Sequence, residues 1–392
     1  MRLLHLLMLS ACFVHMGLKE TFAFHKTDST NREKTIIETI TKSIKKNDFL
    51  NVSVNTRMAF HTDLTATEAD KAAFRVDYLR LQVTGNITDR IFYKWMQHLN
   101  RSNKANSLDN MPSSIDCLGI GFNITPTLST FVGKQYADFG GFEYDSDPAQ
   151  IYEFSDLGNN MTCFLVGAHI QWQCTPTQEL RFQIVNGRNN SVEDTYAIIP
   201  KDFKAAKLPL GYTFNWNGLF FDNRLATRCS YSIFHEGDKS NVNMMTLAAS
   251  WMQDNFNMYV DATYSFEDID KLGILSSTIA TDEAPFCATD CGYLSIVSRI
   301  NYRPAEKLNL FLKGMYETAS IRKNGIMEKG KYRTSFGYQG GLEYFPMKEN
   351  LRFFAVYHAK QVDMTNRALE MGLIGSNPQR LSIGLVYNIP VF

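Results

Sequence analysis

The stretch Leu50-Asn51-Val52-Ser53-Val54-Asn55-Thr56-Arg57-Met58-Ala59-Phe60-His61 decides the fold class. Leu50, Val52, Val54, Met58 and Phe60 fall on one parity, and Asn51, Ser53, Asn55, Arg57 and His61 on the other. Successive side chains of a β-strand point to opposite faces, so this rhythm builds one apolar and one polar face. A helix would need a period of about 3.6, which these residues do not follow.

The rhythm recurs along the chain. Phe256, Met258, Val260, Ala262, Tyr264 and Phe266 alternate with Asn257, Asp261, Thr263, Ser265 and Glu267. Leu308, Leu310 and Leu312 alternate with Asn309 and Lys313, and Leu381, Ile383 and Leu385 with Ser382 and Gly384. Runs of this kind fall near 50–61, 72–84, 88–99, 115–123, 127–136, 161–173, 178–187, 207–217, 223–235, 241–252, 255–266, 292–303, 307–318, 331–344, 350–361 and 380–389. That is about sixteen strands, within a range of about 14–18, and an even number suits a single-chain barrel. One run changes phase, from Phe74 and Val76 to Leu79, Leu81 and Val83, which predicts a β-bulge near Tyr78.

Tight turns are expected at 86–88, 125–127, 175–177, 303–305 and 345–347, and longer polar spans at 100–114, 137–160, 188–206, 267–291 and 362–379. Short turns on one rim and long loops on the other is the plan of a transmembrane barrel, with the turns periplasmic and the loops extracellular. A soluble sandwich also alternates, but its two inner faces meet in one dry core. Here nearly every strand carries charges and amides on its polar face, so a closed sheet with lipid outside and water inside fits better. The fold expected is therefore an all-β, antiparallel transmembrane barrel. Tyr212, Trp216, Tyr302, Tyr344 and Tyr387 stand at strand ends and suit interfacial girdles, with ordinary packing as the alternative. The chain ends in Phe392, a terminal aromatic after an alternating strand, and Pro390 removes a ladder donor just before it.

Composition sets limits. Lys plus Arg and Asp plus Glu both number 40, which excludes the basic excess that nucleic-acid binding requires. Mean hydropathy is −0.23, and after residue 18 no apolar run is long enough for a spanning helix. Residues 1–23 read as a secretory signal: Arg2, an apolar stretch from Leu3 to Leu18, and Thr21-Phe22-Ala23 before the cut. Residues 24–48 read as a short periplasmic segment, with Ile36, Ile37, Ile40 and Ile44 at helical spacing or else a disordered tail, and 49–392 as the barrel. Among the cysteines of an exported chain, Cys287 and Cys291 are close enough for a small disulfide, with unpaired thiols as the alternative. The cysteine and histidine spacing completes no zinc set, and no metal or cofactor is expected.

At this point a family comes into view. Val132-Gly133-Lys134-Gln135, then Phe139-Gly140-Gly141-Phe142-Glu143, resembles the phosphate-selective porin O and P family in its Bacteroidetes branch. Arg75-Val76-Asp77-Tyr78-Leu79-Arg80-Leu81, Phe182-Gln183-Ile184-Val185-Asn186-Gly187 and Leu385-Val386-Tyr387 are similar to it as well. The resemblance implies a sixteen-stranded barrel in the Gram-negative outer membrane, a homotrimer, and diffusion of small hydrophilic solutes through a pore narrowed by an inward loop. Anions such as phosphate are the family's solutes. The family's basic lumen residues do not match position by position, and the near-neutral charge departs from a strongly basic pore.

The constriction is assigned to the loop from Asp138 to Asp156. It holds Gly140 and Gly141 and the carboxylates Asp138, Glu143, Asp145, Asp147, Glu153 and Asp156, with a surface loop as the alternative. Opposite it, Arg57, Arg80, Lys134, Arg181, Arg228, Arg299, Arg333 and Arg352 are expected to line the wall, either tuning which ions pass or keeping the lumen wet. An enzyme is disfavoured, since neither Gly-x-Ser-x-Gly nor His-Glu-x-x-His occurs. A surface adhesin or assembly component is the main rival, and loop 267–291 is its best feature: Leu272, Ile274 and Leu275 there would cap the barrel or meet a partner.

Overall fold

The computed structural model describes residues 49–65, 68–196, 198–281, 284–347 and 350–392. The signal expected over 1–23 and the segment expected over 24–48 lie outside them. The strands are β1 (Asn51–Thr65), β2 (Glu68–Asn86), β3 (Ile91–His98), β4 (Ile115–Thr125), β5 (Leu128–Tyr136), β6 (Phe164–Thr175), β7 (Gln178–Asn186), β8 (Leu210–Phe220), β9 (Leu225–Gly237), β10 (Ser240–Gln253), β11 (Phe256–Ile269), β12 (Thr289–Ala305), β13 (Leu308–Ile321), β14 (Gly330–Met347), β15 (Leu351–Met364) and β16 (Gln379–Pro390). Each pairs antiparallel with its neighbours, and β1 pairs with β16, so the sheet closes and no edge is left. Closure matters physically: in hydrocarbon every unpaired backbone group costs several kcal/mol, about 2–7 by transfer measures. Among the described residues no helix is long and apolar enough to cross a membrane, which says nothing against a barrel.

The two-residue rhythm sorts side chains as expected. Met58, Ile120, Val132, Leu312, Phe336 and Ile383 are exposed on the outer wall, and Leu312 keeps 65% of its surface open. Arg228, Asp261, Lys313, Glu317 and Glu343 are buried within. The bulge forms at Asp77: Arg57 pairs with Tyr78 and Met58 with Val76, so one residue of β2 has no partner. That extra residue lets Phe74 and Val76 face outward together with Leu79 and Leu81, and it turns Asp77 inward to His61.

Two expectations about connections need correction. Pro304 and Pro346 stand inside β12 and β14, not in turns, each where the register slips, between Tyr302 and Ala305 and between Tyr344 and Met347. A proline removes a ladder donor, and an irregular position tolerates that loss. Second, the loop rim is not uniformly long. β9 joins β10 through Asp238 and Lys239 alone, and β1 and β2 pair up to Thr65 and Glu68. The long connections of that rim span 99–114, 137–163, 187–209, 270–288 and 365–378. At the other rim Pro390 ends β16, and Val391 and Phe392 resume bonding by donating to the Val52 carbonyl at 2.8 and 3.1 Å.

Candidate functional site

The connection 137–163 does not lie on the surface; it folds into the lumen. Its entry is set by Gly140 (φ 73°) and Gly141 (φ 93°), a left-handed region that favours glycine. Space points the same way, because a Cβ at Gly140 would stand 2.8 Å from Ser230 Oγ. A short helix, Phe142–Asp145, follows. Its Phe142 and Glu143 amides donate to the two Asp261 carboxylate oxygens at 2.9 and 2.7 Å, the arrangement an exposed helix start prefers. A second, Asp156–Asn160, offers its Asp156 and Leu157 amides to Glu317 at 2.6 and 3.0 Å. Asp147 caps the turn Pro148–Gln150 by accepting from the Ala149 amide at 3.0 Å.

Wall cations hold the rest of the loop all round the barrel. Arg57 of β1 donates to the Pro148 carbonyl at 3.3 Å and also reaches Ile151. Arg352 of β15 and Arg299 of β12 donate to the Ala149 and Gln150 carbonyls, both at 3.3 Å. Arg80 of β2 stands 3.5 Å from Asp147 and 3.8 Å from Asp116. Arg181 of β7 pairs with Asp138 at 2.8 Å and with Glu179 at 3.2 Å. Arg228 pairs with Asp145, Arg333 and Lys360 with Asp156, and Lys313 with Glu143. Burial pushes the Asp138 carboxyl above the ordinary carboxylate range, and the Arg181 guanidinium opposes that shift.

Of the eight basic residues assigned to the wall, seven therefore touch the inward loop. Lys134 does not. It is buried against Asp109 of loop 99–114 at 3.3 Å, and its register partners are Leu118 and Val166. Gly133, at φ 135°, interrupts the strand just before it. All the predicted loop carboxylates lie in the inward segment, but they serve as anchors as much as lining: Glu143 is buried, and Glu153 contributes its backbone carbonyl to Gln339 at 3.1 Å. Sequence reasoning missed Asp261, Glu317, Lys313 and Lys360 as anchors, although all four occupy the polar phase of their strands.

A second inward element is the loop 270–288, with the helix Ile274–Ile279. Leu272, Ile274 and Leu275 pack with Leu157, Tyr293, Ala319, Ile321 and Met327 in a dry cluster at the loop rim, so they cap the barrel from within. Glu267 accepts from the Lys271 and Leu272 amides at 2.7 and 3.0 Å, and Asp270 from Tyr293 Oη at 2.6 Å. The small disulfide considered from spacing is not formed: Cys287 and Cys291 are both free, buried thiols in this packing.

What remains open lies between the loop's first limb and strands β2–β7. Asp145 and Asp147 keep 40% and 36% of their side-chain surface exposed there, and Arg181 keeps 25%. Carboxylates on one side and guanidinium groups on the other make a field across the gap without net charge.

A closed sixteen-stranded barrel narrowed by an inward loop defines a channel of the porin type. The family model for phosphate-selective porin O and P matches residues 51–389, and the chain belongs to that family. No curated protein matches the chain by sequence. Among solved structures it is similar to the outer-membrane channel DcaP of Acinetobacter baumannii, with TM-score 0.62 and 12% identity over 88% of this chain and 99% of that one. It is also similar to OmpF of Salmonella typhi in complex with daunomycin (TM-score 0.57, 14% identity, 86% and 97% covered). A third likeness is OmpT of Vibrio cholerae (TM-score 0.54, 11% identity, 88% and 100% covered). At these identities the likeness shows the fold, and family membership makes this an outer-membrane channel for passive diffusion.

Proposed function

We infer that this porin filters small hydrophilic solutes by size and by dipole orientation, and is not a dedicated phosphate channel. One observation carries the reading: seven of the eight basic residues assigned to the wall are engaged with the inward loop, by ion pairs or by its carbonyls, so they form no free ladder for a hydrated dianion. Rings of charge select ions when the charges face the solute. Reversal potentials in chloride, phosphate and potassium gradients across planar bilayers test it. A weak anion preference without discrimination for phosphate is expected, and a strong phosphate preference would overturn it.

The same reading places the short turns on the periplasmic side, and makes residues 1–23 an export signal and 24–48 a short periplasmic segment. It takes the assembly to be a homotrimer, on the family resemblance and on the trimer form in which Vibrio cholerae OmpT occurs. Light scattering of the detergent-solubilised protein, with N-terminal sequencing of the mature chain, checks both.

A further inference from the structure

Lys94 of β3 differs from the cations that hold the loop. Among the described residues its ammonium has no carboxylate and no hydrogen-bond partner; its one specific neighbour is the Tyr136 ring, with the centroid 5.4 Å away. Asp147 and Arg181, which keep 36% and 25% of their side chains exposed, are among its electrostatic neighbours, and Lys94 is itself half-buried. Arg80 and Arg181, its basic neighbours, are committed to carboxylates.

The wall beside it is aromatic, with Phe131 buried in the middle and Phe92, Tyr136 and His169 partly exposed. The Phe92, Phe131 and His169 rings stack in sequence, with centroids 6.2 and 6.0 Å apart and interplanar angles of 28° and 18°. Glycines make room for this row. A Cβ at Gly121 would stand 2.0 Å from the Phe92 ring, and one at Gly119, the register partner of Lys94, 2.7 Å from the Phe131 ring. Met96 and Cys117 pack against Phe131, and Tyr136 borders the group.

We propose that Lys94 and the aromatic row beside it form a subsite for an organic monoanion with an apolar body, such as an aryl carboxylate, and that Lys94 sets the charge preference of the open gap. The proposal rests on the porin reading and names the solute class within it. The physical ground is hydration. A dianionic phosphate gives up water only to several converging free donors; the Arg80 and Arg181 groups nearest Lys94 are already paired with carboxylates, and its other neighbours are rings, a thioether and a thiol. A carboxylate needs one cation, and its flat body gains by contact with the exposed parts of the Phe92, Tyr136 and His169 rings.

The test compares wild type with K94Q and Y136L in planar bilayers, reading reversal potentials in potassium benzoate, phosphate and chloride gradients. K323Q, which removes the same charge from the exposed loop rim, is the control. Wild type is expected to prefer benzoate over phosphate. K94Q should lower the anion-to-cation permeability ratio by about threefold or more, as loss of a unit charge at close range implies, whereas Y136L should lower the benzoate preference and leave the charge ratio near wild type. Unchanged ratios in K94Q, or a wild-type preference for phosphate, would overturn the proposal. If wild type shows no conductance steps, the porin reading has failed instead. Equilibrium dialysis of labelled benzoate against the solubilised proteins then decides alone: binding by wild type and not by K94Q supports the subsite, and equal or absent binding refutes it.

Discussion

The inner wall divides into two sectors that share one strand pattern and differ in what their charges meet. Along β9–β15 the inward groups are spent on the loop: Arg228 on Asp145, Asp261 on two amides, Lys313 on Glu143, Glu317 on two more amides, Arg333 and Lys360 on Asp156. Along β2–β7 the loop is held only at Asp138, by Arg181, and at Asp147, by Arg80, among the described ion pairs, and Asp145, Asp147, Arg181 and Lys94 keep part of their surface exposed. The contrast shows that counting inward basic residues does not measure selectivity. A buried pair whose members satisfy each other is scaffold, and breaking it leaves an uncompensated charge that costs about 3–5 kcal/mol.

The severest way to break the contrast is to remove the loop's middle. Deleting residues 143–152 takes away the contacts that Arg57, Arg80 and Arg352 make with the loop and the Glu143 partner of Lys313, while Asp77, Asp116 and Glu343 stay on the wall. Single-channel conductance is expected to rise severalfold, and the freed wall should raise anion preference at the same time. Unchanged conductance would show that the segment is no constriction and that the two sectors are not functionally distinct.

A finer cut leaves the loop in place and removes one grip. Lys313→Ala strands Glu143, which among the described residues keeps only Ser155 as a side-chain partner, bonded at 2.7 Å. Loss of a buried partner of this kind costs about 3–5 kcal/mol of loop anchoring. The barrel ladder itself is untouched, so thermal unfolding should move little while open-channel current noise and proteolysis between 150 and 160 increase. Arg299→Glu and Arg333→Glu act on the same footing: they should loosen the loop first and shift ion selectivity second. A selectivity shift with no added noise would return these residues to the lining.

How much of this was legible in the sequence follows from the same physics. The barrel was legible because lipid and water impose opposite demands on alternate residues, and all sixteen runs fall on strands. Even the Asp77 bulge announced itself, since one extra residue must invert the parity of everything beyond it. The inward course of 137–163 came from the resemblance, not from the pattern, because a polar loop reads the same on a surface or in a lumen. The anchors Asp261 and Glu317 were invisible for a related reason. Their phase says they face inward and says nothing of what they meet. Lys94 was hidden in Phe92-Tyr93-Lys94-Trp95-Met96, where a run of apolar and aromatic neighbours blurs the alternation. The proline turns at 125–127 and 175–177 hold, whereas those at 303–305 and 345–347 failed because Pro304 and Pro346 sit at bulged strand ends, one or two residues short of where the chain reverses.

The smallest expected effect concerns the cap over the closed sector. Asp270 is buried with Tyr293, Ser276, Cys287, Cys291 and Glu267 around it, and burial raises its carboxyl pKa above the ordinary 3.8, against the pull of the Ser276, Tyr293 and Gly273 hydrogen bonds. A carboxyl with a raised folded-state pKa holds its proton more readily when its loop is packed. That contribution to packing is complete below 3.8 and is lost as the pH climbs from there through the raised value. Amide exchange over 271–279, corrected for intrinsic rates, should therefore show easier local opening as the pH rises through that window, while amides of β2–β7 stay level. Asp270→Asn removes this carboxyl's share of the titration and should make the profile shallower. If protection over 271–279 instead strengthens with rising pH, the cap is held by the ionised form, and the closed sector owes its seal to charge and not to the dry cluster around Leu275.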